Sequence, residues 1–221
     1  MRKYVDLKVW CLKSNNEGLK NIVRLGNEMG FWAIGLACHP DGLDRVQKMT
    51  NALISEGHRV FTSIEVKLQT PQSIKTLSKL LKKKIFLSIT PLTLEMARKA
   101  VKLGASSIVL PVDRKKLIFD SVCAKELAKQ EGAIEIHLVD LLRSDRRKLL
   151  RALKMIRLEV KIARKYGIPV IVSSGATKTI ELLDPIVMAS LAETLLGIPR
   201  EAALNSISDY PYSIIKKEGL I

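Results

Sequence analysis

Apolar residues recur along the chain in two alternating rhythms. Short runs at residues 4–9, 32–38, 60–66, 85–89, 107–110 and 134–138, and a last one from residue 168, read as strands. Between them lie longer stretches with apolar positions three and four apart, which read as helices. The first is capped by Asn15 or Asn16 and reaches Met29. The second follows Pro40-Asp41-Gly42 and ends at Gly57. The third opens at Thr70-Pro71 and turns Ile74, Leu77, Leu80 and Leu81 inward and Lys75, Lys79, Lys82 and Lys83 outward. The fourth starts at Thr90-Pro91 and runs through Leu103, and the fifth stops at Gly132. A long helix spans about 145–166 with Ser144 as its cap, another spans about 179–196, and a short one spans 200–207. The tail after about residue 208, with Tyr210-Pro211-Tyr212, gives no assignable pattern.

Helix, glycine and strand recur in that order at Gly30, Gly57, Gly104, Gly132 and Gly167. Glycine suits the left-handed residue that ends a helix. Repeated βα units of this spacing predict parallel strands with crossover helices. Neither GxGxxG nor GxxxxGK[ST] occurs, so an open nucleotide-binding sheet lacks its usual phosphate loop. The expected fold is therefore an α/β TIM-barrel-like repeat of about seven parallel strands ringed by helices. Seven strands instead of eight imply an incomplete or distorted closure. We expect one barrel-like domain over residues 1–221, large enough for a substantial core at 47% hydrophobic content.

Charge changes the picture more than composition does. The chain holds 37 Lys and Arg against 22 Asp and Glu, a net charge of +15, and such a field attracts polyanions. Between Arg143 and Lys165 stand ten basic residues against Asp145 and Glu159. On a helical wheel Leu149, Leu153, Ile156, Val160 and Ala163 form the buried face, and Arg147, Arg151, Lys154, Lys161 and Lys165 gather opposite. An ordinary solvated helix would carry both signs at i,i+4, so this face is read as facing a polyanion. Arg114, Lys115, Lys116, Arg143, Arg146 and Lys178 fall in loops after strands, or beside them, and join the expected RNA-binding set. Aromatics make up 5% and none interleaves with the basic helix, which favours backbone and shape contacts over base stacking.

Ser173-Ser174-Gly175-Ala176, at the end of the last strand, is a candidate phosphate loop. The competing reading is a tight turn between strand and helix. Asp6, His39 and His137 fall near strand ends, but three histidines and few carboxylates are a poor supply for a hydrolytic metal site, and Lys8 places a positive charge beside Asp6. No GxSxG nucleophile elbow is present. Cys11, Cys38 and Cys123 show no paired spacing, and no apolar run approaches the length of a membrane span, so a reducing, cytoplasmic setting is expected.

Four segments carry a more specific signal: Asp6-Leu7-Lys8-Val9, Gly35-Leu36-Ala37-Cys38-His39, the strand from Val170 into Ser173-Ser174-Gly175-Ala176, and Leu182 to Leu191. In this order, and over essentially the whole chain, they resemble the ribonuclease P protein component 3 family. The resemblance implies a barrel related to metal-dependent phosphoesterases but without their metal cluster. It also implies a place in the ribonucleoprotein that removes the 5′ leader from precursor tRNA. There the RNA carries the catalytic magnesium, and this subunit, with no cofactor of its own, binds that RNA together with a small protein partner. Where a basic residue is expected near the proline of the late helix, this chain has Leu183-Asp184-Pro185. The alternatives are a stand-alone barrel enzyme, either a metal phosphoesterase using Asp6, His39 and His137 or a phosphate-binding metabolic enzyme using Ser174 and Gly175, and a general duplex-binding protein.

Overall fold

In a computed structural model of the protein, which describes residues 2–11 and 16–221, the βα repeat closes into a ring. The elements are β1 Tyr4–Trp10, α1 Asn16–Glu28, β2 Phe31–Cys38, α2 Leu43–Ser55, β3 Val60–Leu68, α3 Pro71–Leu80, β4 Phe86–Pro91 and α4 Leu94–Lys102. They continue as β5 Ser107–Val109, α5 Ser121–Lys129, β6 Ala133–His137, α6 Leu138–Leu142, α7 Arg146–Lys165, β7 Val170–Ser173, α8 Pro185–Leu196, α9 Arg200–Asn205 and α10 Asp209–Lys217. The seven strands pair in parallel in sequence order, β1 to β7.

Closure between β7 and β1 uses two substitutes for an eighth strand. At the lower end the turn after α9 inserts: Val172 N–H donates to Ser206 O at 3.0 Å and Val5 N–H to Ile207 O at 2.9 Å. At the upper end the loop after β7 crosses to β1. Gly175 N–H donates to Lys8 O at 3.0 Å, Trp10 N–H to Ala176 O at 2.7 Å, and Ala176 forms a parallel bridge with Val9.

The core has two compartments. A large outer one lies between strands and helices, from Leu19 and Val23 of α1 round to Met188 and Ala192 of α8. A smaller one fills the lower barrel with Val5, Leu7, Ala33, Phe61, Phe86, Ala133 and Ile171, and α10 plugs it from below with Ile214 and Ile215. Along the inward rows the period of two then changes chemistry: Phe61 gives way to Ser63 and Glu65, Phe86 to Ser88 and Thr90, Ala133 to Glu135 and His137. The upper barrel is buried and polar.

Several sequence expectations shift. β4 runs through Pro91, and α4 starts at Leu94 with Thr93 as its cap. Asp145, not Ser144, caps α7 by accepting from Lys148 N–H at 3.0 Å. The expected helix over 179–196 divides into a 3-10 turn, Thr179–Glu181, and α8, because Asp184 caps a fresh start with Pro185 in the first turn. The unassigned tail is α10; Pro211 sits in its first turn, where no intrahelical N–H is required. Gly30, Gly57, Gly104 and Gly167 take positive φ as expected, whereas at the fifth stop Glu131 does so instead of Gly132. Asn15 lies outside the described residues.

Candidate functional site

Seen from the C-terminal ends of the strands, where barrels of this kind place their chemistry, the interior is a closed charge network. Lys8 is fully buried, and its ammonium lies 3.5 Å from Glu65 Oε2 and 3.8 Å from Glu135 Oε2, with a short hydrogen bond to Ser88 Oγ. Glu135 accepts from Ser173 Oγ at 2.8 Å and Ser107 Oγ at 3.0 Å, and Glu65 from Thr90 Oγ1 at 2.5 Å. His137 closes the mouth: Nε2 lies 3.2 Å from Glu135 Oε1, and Nδ1 3.5 Å from Asp140 Oδ2.

These partners decide the protonation states. Burial alone would lower the pKa of His137, but its bonds to Asp140 and Glu135 and the charges of Glu135 and Glu65 outweigh that and raise it to about 10. Burial would raise Glu135, yet the Lys8 charge and the His137 bond bring it to about 2, and Lys8 with His137 likewise lower Glu65. Two cations and two carboxylates thus share a buried space with their charges balanced.

This arrangement does not fit a metal ion. Among the described residues no three His, Cys, Asp or Glu side chains are placed to hold one. Asp6 is committed to the barrel seam, where its Oδ1 accepts from Lys8 N–H at 3.1 Å and Ser174 N–H at 3.0 Å; burial raises its pKa to about 6. His39 packs at a tilt against Trp10, ring centres 4.7 Å apart, and its Nδ1 lies 3.3 Å from Glu65 O. The structure therefore does not assemble Asp6, His39 and His137 into a catalytic set.

The candidate phosphate loop is also corrected. Ser173, Ser174, Gly175 and Ala176 are buried, and the N–H groups of the last three are used by Asp6, by Lys8 O and by Ser174 Oγ at 3.1 Å. Those three N–H groups are therefore not available to an anion. Gly175 is needed for closure itself: its φ is +67°, and a Cβ there would lie 2.9 Å from His137 Cβ.

Arg114 leaves the RNA-binding set as well. It is 7% exposed and pairs through both terminal nitrogens with Glu159, NH1 to Oε1 at 2.6 Å; Ile118 and Phe119 N–H also donate to that Oε1. Glu159, which reads from composition as the one acid of a basic helix, is fully buried and pins the loop after β5 to α7. The wheel held the signal, because Glu159 lies three residues from Ile156 and four from Ala163. The buried face of α7 is Ala152, Ile156, Glu159, Val160 and Ala163, with Leu149 and Leu153 only half-buried.

The other expected residues do reach the surface. Arg146, Arg147, Arg151, Lys154, Lys161 and Lys165 are exposed along α7, and Arg164, which the sequence reading omitted, joins them. Among the described residues none of these makes an ion pair within 4.0 Å. Arg143 is half-exposed but held by Glu181 and by Thr177 Oγ1 at 2.8 Å. Lys115, Lys116 and Lys178 are exposed on strand-end loops. Leu150 and Leu158 stand exposed within the same α7 face, at 60% and 46%. The site is thus an unpaired basic face with apolar insets, outside a sealed barrel.

The protein named ribonuclease P protein component 3 of Methanosarcina acetivorans is 28% identical over 217 residues, covering 97% of this chain and 90% of that protein. Its counterpart in Methanosarcina mazei is 26% identical over the same length. Among solved structures, a chain of an archaeal ribonuclease P with mature tRNA superposes with a TM-score of 0.77 at 21% identity, covering 97% of this chain and 90% of that one. A prolidase complexed with N-methylphosphonate-L-proline shares the barrel at a TM-score of 0.65 and 12% identity, covering 99% and 75%. The family model described as RNase P subunit p30 matches residues 3–220, and a match of that extent means that the chain belongs to the RNase P subunit p30 family.

Proposed function

We propose that the chain is a protein subunit of ribonuclease P, the endoribonuclease that removes the 5′ leader of precursor tRNA, and that it contributes RNA binding to that holoenzyme and not bond cleavage. Membership of the p30 family carries the reading, and the unpaired basic face of α7 supports it chemically. Arg147, Arg151, Lys154, Lys161 and Lys165 neutralise phosphates of the catalytic RNA, each contact releasing condensed counterions. The magnesium of the reaction belongs to the RNA, since the barrel interior already holds its own cation, Lys8. A small protein partner completes the assembly, and the exposed Leu150 and Leu158 beside the basic residues suit contact with protein as well as RNA. No described helix is long and apolar enough to cross a membrane, and the cytoplasm is the compartment we assign.

The test is precursor-tRNA cleavage at low magnesium, with the catalytic RNA present, with and without this chain and its partner. Stimulation only when RNA and partner are both present is the expected result. Cleavage by the purified chain with added metal and no RNA would overturn the assignment.

A further inference from the structure

Residues 66–94 contain six Lys and no Asp or Glu, and residues 146–178 contain ten Lys or Arg and only Glu159. Of 37 basic and 22 acidic residues this leaves 21 of each in the rest of the chain, so the whole net charge of +15 resides in these two stretches. The second stretch is the α7 face. The first is α3 with the turn after it.

α3 presents Lys75 and Lys79, four residues apart on one side of the helix, and Lys82, Lys83 and Lys84 follow in the turn; all five are exposed. Among the described residues none of the five makes an ion pair. Glu218 lines a small cavity with Lys83 and Lys84. Favourable interaction with the helix C-terminus accounts for a lysine in the last turn, such as Lys79. It does not account for a row of five, because like charges repel at these spacings.

The topology sets the two faces apart. α3 packs on β3 and α7 on β7, with strands β4, β5 and β6 between them in the ring. A chain of this length has a radius of gyration of about 17 Å, so a straight RNA helix lying on one face does not reach the other.

We propose that α3 and the turn at Lys82–Lys84 form a second RNA-backbone contact face, turned away from α7, and that the chain bridges two RNA segments. The inference rests on the RNA-binding reading above and deepens it from one surface to two. Phosphate contacts by lysine are independent of sequence, so the bridge fixes the relative position of two RNA helices and leaves base recognition elsewhere.

The test uses the full chain and two RNA duplexes of about 16 base pairs, long enough for one protein face, one carrying a donor fluorophore and the other an acceptor. The wild type brings donor and acceptor together at one chain per two duplexes. Lys75, Lys79, Lys82 and Lys83→Gln together abolish energy transfer but leave one duplex bound, and lower the slope of log affinity against log salt by about 3–4. The four Lys→Arg replacements retain transfer. Arg147→Ala, Arg151→Ala and Lys154→Ala together also abolish transfer while one duplex stays bound through α3. If transfer survives the α3 replacements, or is lost only with the α7 set, the second face does not exist. If binding is unchanged by both sets, the RNA-binding reading itself fails.

Discussion

The inside of the barrel and the outside of α7 both gather charged groups and treat them oppositely. Inside, Lys8, His137, Glu65 and Glu135 are buried, both signs are present, and each group is a neighbour of another. On the outer face of α7, Arg147, Arg151, Lys154, Lys161 and Lys165 stand in water, and among the described residues none of them makes an ion pair. A buried charge has to be matched within the fold because desolvation is costly. An exposed one is tolerated unmatched, and then remains available to a partner. The inner set is therefore expected to govern stability and the outer set binding.

Four outcomes would break or sharpen that contrast. The largest concerns Lys8→Met, which leaves Glu65, Glu135 and His137 without the ammonium between them and is expected to cost about 3–5 kcal/mol. Denaturant unfolding measures it. Adding Glu135→Gln should recover part of the loss, and a cost below about 1 kcal/mol would mean that the interior is not charge-matched as described. Glu159→Gln is next, at roughly 2–4 kcal/mol, since it strands the buried Arg114 without a countercharge and leaves one amide oxygen to serve Arg114 and the Ile118 and Phe119 N–H groups.

The third outcome is a stability profile against pH. With its folded pKa raised from 6.5 to about 10, His137 contributes stability that is complete below pH 6.5 and lost as pH rises towards 10. Glu135, lowered from 4.5 to about 2, contributes stability present above pH 4.5 and lost as pH falls towards 2. Asp6, raised from 3.8 to about 6, works against the second of these, losing its contribution as pH rises between those values. Melting temperatures should hold best between about pH 4.5 and 6.5 and decline from there towards pH 9.5; His137→Gln should remove that alkaline decline. The smallest effect on stability belongs to Arg147→Ala, Arg151→Ala and Lys154→Ala, each within about 0.5 kcal/mol of wild type.

The sequence revealed the fold wherever contacts are local. Seven strands, their order and the crossover helices follow from period and glycine stops, because each βα unit is read within some thirty residues. The closing seam was not legible. It depends on Ser206 and Ile207 reaching Val172 and Val5 through backbone bonds that leave no side-chain pattern, and for the same reason Ser173 to Ala176 read as an anion loop when their N–H groups belong to the seam. Arg114 was misplaced because its partner, Glu159, lies 45 residues away. The inward alternation of Phe61-Ser63-Glu65 and Ala133-Glu135-His137 held a period-two signal of a barrel row that turns from apolar to charged, and it went unread. The exposed cations of α7 were legible because a helical wheel needs only nearest neighbours.

The most direct measurement is the salt dependence of binding to ribonuclease P RNA for the wild type and the Arg147→Ala, Arg151→Ala, Lys154→Ala triple variant, both confirmed as folded. Three lost phosphate contacts predict a plot of log affinity against log salt shallower by about 2–3, and weaker binding at physiological salt. An unchanged slope and affinity in the folded triple variant would contradict the assignment of α7 as the RNA-binding face.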